Sequence, residues 1–450
     1  MGVIETTDPL LARAERREAI GTVGEGRAQT VIRRLFWIYC ALWILEGALR
    51  KWFLPSLSAP LLIVRDPIAL AALVYAFAHR RLPINGYVIA LAIATIYSIL
   101  VTLTIGHGSI LVTAYGARIT LIHIPAVFAF AAALRPGDIE RFSRALLWCL
   151  LPVAVLTLGQ LYSPQSAWIN RGVGGDLEGS GFSGALGYFR PSGLFSFTNG
   201  NAAFFTLGFA VVVAGWIRRR IAPMGLLLLG TAGVLIAIPT SVSRTYIFSA
   251  AITVAFAVGS SVSDVRAFAR ILIAGASFTL LFAILLDTPW FSEAMRVLTA
   301  RFENASSSEG GLQGTLVDRF LGGIYRSVIG EGQHPWYGAG LGYGTNVAAK
   351  VLAGDRGFLA AEDEWGRVID EMGSILGLAV LLTRTWLAAH IGWRAWRAAS
   401  ALKSPLAWIL FSVAAVPLVT GQIAQPTNLG FLVIATTITI AALPHRTLDN

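Results

Sequence analysis

Long apolar runs separated by short polar breaks fill most of this chain. A helix needs about 17–25 apolar residues to cross the hydrocarbon layer. Twelve runs fit that length, with approximate limits 35–54, 61–78, 84–105, 110–134, 144–163, 201–217, 222–239, 245–260, 268–287, 371–390, 406–422 and 428–443. The pattern predicts an all-α, polytopic membrane helix bundle. Two polar stretches interrupt it, a glycine-rich one at 164–200 and a much longer one at 288–370, between the ninth and tenth runs. The chain divides into a polar head (1–33), spans one to nine (34–287), a large loop (288–370), and the last three spans with a short tail (371–450). The head reads as partly helical and loose.

Inside the long loop, Val317, Phe320, Leu321, Ile324 and Val328 recur at helical spacing, which predicts an amphipathic helix over 315–329. Before it, Ser306 to Gly311 reads as a flexible joint. After it comes a glycine-rich turn from His334 to Gly344, and then an acidic patch, Glu362-Asp363-Glu364. No internal repeat is evident. The link between spans six and seven, Arg218 to Pro223, is short, unlike the junction between two six-span transporter halves.

Composition agrees with the bilayer as solvent. The 450 residues are 55% hydrophobic and 13% charged, with mean hydropathy +0.67, whereas soluble chains carry about 25% charged residues. Basic clusters fix the sidedness. The head carries Arg13, Arg16, Arg17, Arg27, Arg33 and Arg34, and every second loop is basic: Arg80-Arg81, Arg135 to Arg144, Arg218 to Arg220, Arg266 with Arg270, and Arg394 to Lys403. The positive-inside bias then puts both termini in the cytoplasm and the 288–370 loop outside. The net charge of +10 is thus a topology and headgroup signal. No concentrated basic face suggests nucleic acid. The long polar head argues against a cleavable signal peptide. Cys40 and Cys149 both fall in spans, so neither a disulfide nor a zinc site is expected. Trp37, Trp52, Trp216, Trp290, Trp386 and Trp393 near span ends read as an interfacial belt.

Against this sidedness, Arg190 and Arg244 fall on the outer face, next to span ends. Arg190 lies in Phe189-Arg190-Pro191-Ser192-Gly193, before Asn199-Gly200-Asn201, and Arg244 ends Ser241-Val242-Ser243-Arg244. Guanidinium matches phosphate oxygens bidentately, and adjacent helix N-termini add N–H donors. An anion site is one reading, and a snorkelling or acid-paired interfacial arginine is the other. The charges inside spans (Glu46, Arg50, Lys51, Arg65, Asp66 and Arg118) must face the interior and pair, Arg65 with Asp66 or Glu46. His334 is a candidate general base or a plain turn residue before Pro335. The acidic patch offers Glu362 and Glu364 as bases if partial burial raises their pKa; otherwise it is a solvated loop end or the salt partner of the outer arginines. The alternating glycines from Gly338 to Gly344 lack the βαβ setting of a nucleotide loop, and read instead as a place of close backbone approach to substrate or membrane.

Taken in order, these landmarks resemble the O-antigen ligase and O-antigen polymerase superfamily of bacterial polytopic glycosyltransferases. The shared pieces are Arg190 to Gly193 before Asn199 to Asn201, the Ser-x-Ser-Arg turn at Ser241 to Arg244, an arginine (Arg319) in the amphipathic helix, the Pro335 to Gly342 turn, and Glu371, Gly373 and Gly377. Ligases of that family carry a His-Asn pair where this chain has Glu362-Asp363, which favours a repeat-unit polymerase or a divergent ligase-like transferase. The resemblance implies a bacterial inner-membrane enzyme that takes a glycan from undecaprenyl diphosphate to an acceptor glycan hydroxyl on the extracytoplasmic face. It implies Arg190, Arg244 and Arg319 on the diphosphate, and Glu362, Glu364 or His334 as base, with no metal or other cofactor. Its partners would be a lipid-linked donor, a glycan acceptor and membrane lipids, and not nucleic acid. The alternative is a transporter of an anionic solute or lipid-linked glycan, which would use buried arginines near a midplane site.

Overall fold

The computed structural model describes residues 9–179, 181–218, 221–261, 265–309, 335–353, 363–401 and 403–444. Among these the architecture is helical throughout, with a single isolated antiparallel bridge between Ser183 and Phe189. The helices used below are α1 (Pro9–Ala48), α2 (Ser58–Leu61), α3 (Asp66–Ala78), α4 (Gly86–Thr104), α5 (Ile110–Arg118), α6 (Ile124–Ala133), α7 (Pro136–Tyr162), α8 (Thr198–Ile217) and α9 (Met224–Thr240). They continue with α10 (Arg244–Ser261), α11 (Val265–Leu286), α12 (Pro289–Glu309), α13 (Asn346–Ala353), α14 (Glu364–Met372), α15 (Ser374–Ala401), α16 (Leu406–Thr420) and α17 (Pro426–Ala441).

Local chemistry sets the boundaries. The Asn85 side chain accepts the Val88 N–H and starts α4, and Ser109 caps α5 in the same way. The Arg135 N–H donates to Asp138 Oδ2 at 2.9 Å, and Pro136 follows as the first residue of α7. Proline also opens α17, where its missing N–H costs nothing.

Among the described residues, seven helices are long and apolar enough to cross a membrane. They correspond to the runs starting at 61, 84, 110, 144, 201, 268 and 371. The windows in α8 and in Ile110–Ala133 are 89% and 83% buried, so these helices form the centre of the bundle. The window in Phe268–Leu286 buries none of its residues against protein, and its side chains need another apolar phase around them. The runs at 222, 406 and 428 become shorter apolar helices, α9, α16 and α17. Helix α17 is buried along nearly its whole length, so a bundle interior explains its apolar character as well as lipid does.

The head is helical from residue 9 on, with α1 running unbroken from Pro9 into the first apolar run. One sequence expectation needs correction. Ser306 to Glu309 form the last turn of α12, not a joint; the apolar stripe Phe291, Ala294, Val297 and Leu298 is buried and carries that helix along the bundle. The amphipathic helix expected at 315–329 lies outside the described residues.

The span charges pair as their burial demands, except Lys51, which meets neutral oxygens of Ser192 and Gly193 and no acid among the described residues. Glu46 divides its two oxygens between Arg50 (3.1 Å) and Arg65 (2.9 Å). Asp66 takes Arg118 at 2.8 Å and His123 Nε2 at 2.8 Å, and Tyr39 reaches His123 Nδ1 at 3.0 Å. Of the two partners open to Arg65 in the sequence, Glu46 is the one used. Both groups sit at π-helical turns, Leu49–Phe53 and Ile119–His123, which re-aim the polar side chains inward.

The glycine-rich turn packs closely on the protein's own helices. The Ala339 and Gly340 N–H groups donate to the carbonyls of Asp370 and Glu371, and Leu341 N–H donates to Thr102 Oγ1 at 2.8 Å. Gly340 has φ +117°, and a Cβ there would run into His107 and Thr102.

Candidate functional site

Arg190 is carried by a loop that the bundle grips from below. Its N–H donates to Phe182 O at 2.8 Å, closing the small bridge beside Ser183. Just beyond, buried Lys51 donates to Ser192 Oγ (3.0 Å) and Gly193 O (2.6 Å). Gln160 accepts Gly193 N–H at 2.7 Å, Asn201 donates to Pro191 O at 3.3 Å, and Arg50 donates to Ser196 Oγ at 2.8 Å. Gly193 has φ +58°, so the Arg-x-x-Gly spacing answers a left-handed turn that a side chain would strain. The loop is thus fixed by groups of the π-helical turn after α1, of α7 and of α8, and its arginine projects from a rigid base.

Arg244 also follows a constrained turn. Pro239 lies in the last turn of α9, and buried Val242 adopts φ +46°, a conformation a β-branched residue rarely accepts. Ser243 Oγ then accepts Tyr246 N–H at 3.3 Å, which starts α10 with Arg244 as its first residue. Strain of this kind tends to sit where side-chain placement matters.

Arg190 and Arg244 line one cavity of about 530 Å³, together with Arg301 from α12. Arg301 Nη1 donates to Gly184 O at 3.2 Å, tying α12 to the Arg190 loop. Burial, with Arg301 and Arg244 close by, lowers the Arg190 pKa to about 10. Its Nε is buried without a hydrogen-bond partner among the described residues. Three guanidinium groups therefore face a common space, and at Arg190 burial first and the two neighbouring cations second disfavour the charge.

Four helices begin at the same wall: α8 with Asn199, α10 with Arg244, α14 with Asp363 and Glu364, and α17 with Asn428. Each helix start carries unsatisfied N–H groups and the positive end of a dipole. Deeper walls are apolar, from Ala202, Phe248, Val413, Val416 and Phe431, with Thr206, Ser249 and Ser412 among them. The cavity is cationic where helices start and greasy between them.

The two carboxylates of the wall differ. Glu364 is fully buried; burial alone would raise its pKa, but Arg367 and Arg384 outweigh this and hold it below the usual carboxylate range. Its Oε1 lies 2.9 Å from Arg367 and 2.5 Å from Arg384. Arg384 also donates to Leu418 O, and Arg367 also meets Glu371 at 2.7 Å. Glu364 is therefore a locked, ionised strut and a poor proton acceptor, contrary to the raised pKa its role as base requires. Its salt partners are Arg367 and Arg384, not the outer arginines. Asp363 is half-buried, spends Oδ1 on the Gly366 N–H (2.8 Å), and makes no ion pair among the described residues.

Of the residues singled out in the sequence, Arg190, Arg244 and Glu364 thus meet at one cavity. His334, Arg319 and Glu362 lie outside the described residues. Sequence reasoning missed Arg301 because it read 288–370 as a polar loop; the stripe from Phe291 to Leu298 was the available sign of a helix there. It also passed over the amides of Gln422, Gln425 and Asn428. Among the described residues, no group of three or more His, Cys, Asp or Glu side chains is placed to hold a metal ion. No family model and no curated protein matches the chain.

Proposed function

We propose that this protein is a membrane glycosyltransferase of the O-antigen ligase and polymerase type, acting on the extracytoplasmic face of a bacterial inner membrane. In this reading it has twelve spans, cytoplasmic termini and an outer 288–370 loop. Its donor is a glycan on undecaprenyl diphosphate, and its acceptor is a glycan hydroxyl. The observation that carries the reading is the gathering of Arg190, Arg244 and Arg301 at one cavity where four helices begin. A diphosphate suits such a place, because it offers several oxygens to planar donors and takes on charge as it leaves.

The acceptor hydroxyl oxygen forms a bond to the anomeric carbon, while the bond from that carbon to the diphosphate oxygen breaks. The electron pair of the broken bond leaves with the carrier diphosphate, where the arginines stabilise it. The hydroxyl proton passes to Asp363, the wall carboxylate not held by arginine. Preorganised cations act more strongly on the departing diphosphate than on the bound substrate, which is what lowers the barrier. The apolar walls between the helices accept the first isoprene units.

Purified protein incubated with undecaprenyl-diphosphate-linked repeat units should produce longer glycans and release undecaprenyl diphosphate. Movement of the intact lipid-linked glycan across a vesicle membrane, with no change in its size, would instead support transport.

A further inference from the structure

Beside the arginines, the cavity carries a patch of neutral amides that the clamp does not use. Asn199 lies in the first turn of α8, and Gln422 and Gln425 lie in the link between α16 and α17, with Asn428 in the first turn of α17. Asn199, Gln422 and Asn428 line the cavity, and Gln425 joins them. Asn199 and Asn428 each donate Nδ2 to Gln425 Oε1 at 3.3 Å, and Gln425 Nε2 donates to Gln422 Oε1 at 3.0 Å. Gln425 thus orients its neighbours, and the Oδ1 atoms of Asn199 and Asn428 accept no hydrogen bond among the described residues.

The patch stands on a fixed base. Arg65 donates to Pro426 O at 2.7 Å and Trp43 Nε1 to Thr427 O at 3.0 Å, which fastens the start of α17 to the buried ion-pair network. Ile423 and Ala424 are buried and hold the link down. Amides on rigid elements suit recognition of groups that both donate and accept hydrogen bonds. Sugar hydroxyls are such groups, and phosphate oxygens, which only accept, are not.

Resting on the lipid-diphosphate reading, we infer that the Asn199, Gln425 and Asn428 patch is the subsite for the hydroxyls of the sugar joined to the carrier diphosphate. The arginines then hold what every donor shares, and the amides select the glycan.

The test compares four probes in detergent-solubilised full-length protein: bare undecaprenyl diphosphate, and the same carrier bearing glucose, galactose or N-acetylglucosamine. Wild-type protein should bind at least one glycosylated probe about tenfold more tightly than the bare carrier. Asn199→Ala, Gln425→Ala and Asn428→Ala should each remove most of that preference while leaving bare-carrier affinity unchanged, which also shows that each variant is folded. Equal affinity of wild-type protein for all four probes overturns the sugar subsite and leaves the clamp standing. So does an equal loss of bare-carrier binding in the variants. Binding of none of the probes overturns the lipid-diphosphate reading itself.

Discussion

The bundle holds arginine in two contrasting settings. Around Glu46 and Asp66, each guanidinium is matched to an acid at 2.8–3.1 Å. Around the cavity, Arg190 meets other arginines, and its pKa falls to about 10. The first arrangement holds helices together, since a charge removed from water must find a partner. The second costs the folded protein something, because Arg190 stays charged at neutral pH in a place that disfavours the charge. That cost is present below pH 10 and is relieved only as pH rises through that value. Glu364 shows the opposite sign: its pKa is depressed by Arg367 and Arg384, so its contribution is present at neutral pH and lost only below the usual carboxylate range. On the proposed reading, Arg190 is kept at the cavity wall for the anion that the cavity receives.

The sharpest way to break the comparison is to remove an acid from the paired setting. Glu46→Ala leaves Arg50 and Arg65 buried together, and stability should fall by about 3–5 kcal/mol. Thermal unfolding in detergent, or loss of monodisperse protein, reads this out.

Removing a cation from the cavity should do the reverse. Arg190→Ala and Arg244→Ala should lower glycan transfer by about 10²–10³-fold while the protein still inserts and folds. Glycan chain length on gels measures it, and wild-type chain lengths in both variants would refute the clamp.

Asp363→Asn keeps the helix cap, because asparagine caps as well as aspartate. Transfer should fall by about 10²-fold with carrier binding retained. Full activity in this variant would remove Asp363 from the proton transfer. The smallest effect is the most diagnostic of strain: Arg190→Gln should raise the melting temperature of the ligand-free protein, by about 1–2 °C. A fall would mean that Arg190 is held by a favourable contact.

Much of this was legible in the sequence, for physical reasons that differ by region. Helices such as Gly86–Thr104 and Thr198–Ile217 follow directly from unbroken apolar runs. The pairing of Glu46 with Arg65 was legible as a need, since neither charge survives alone in an apolar interior; the choice over Asp66 was not, because Arg118 and His123, more than fifty residues on, take Asp66. Arg190 and Arg244 stood out because they violate the charge bias of the loops. Arg301 did not, because a basic residue in a long polar stretch is unremarked until α12 docks on the bundle. The role of Glu364 was misjudged for a similar reason: Arg384 lies twenty residues on and inside a span, and only the fold brings it to 2.5 Å.

The most direct measurement is the binding of bare undecaprenyl diphosphate to wild-type protein and to Arg190→Gln, followed by thermal shift at neutral pH. The account predicts that the carrier stabilises the wild-type protein in a concentration-dependent way and leaves the variant unmoved. Equal stabilisation of both proteins, or of neither, would contradict it.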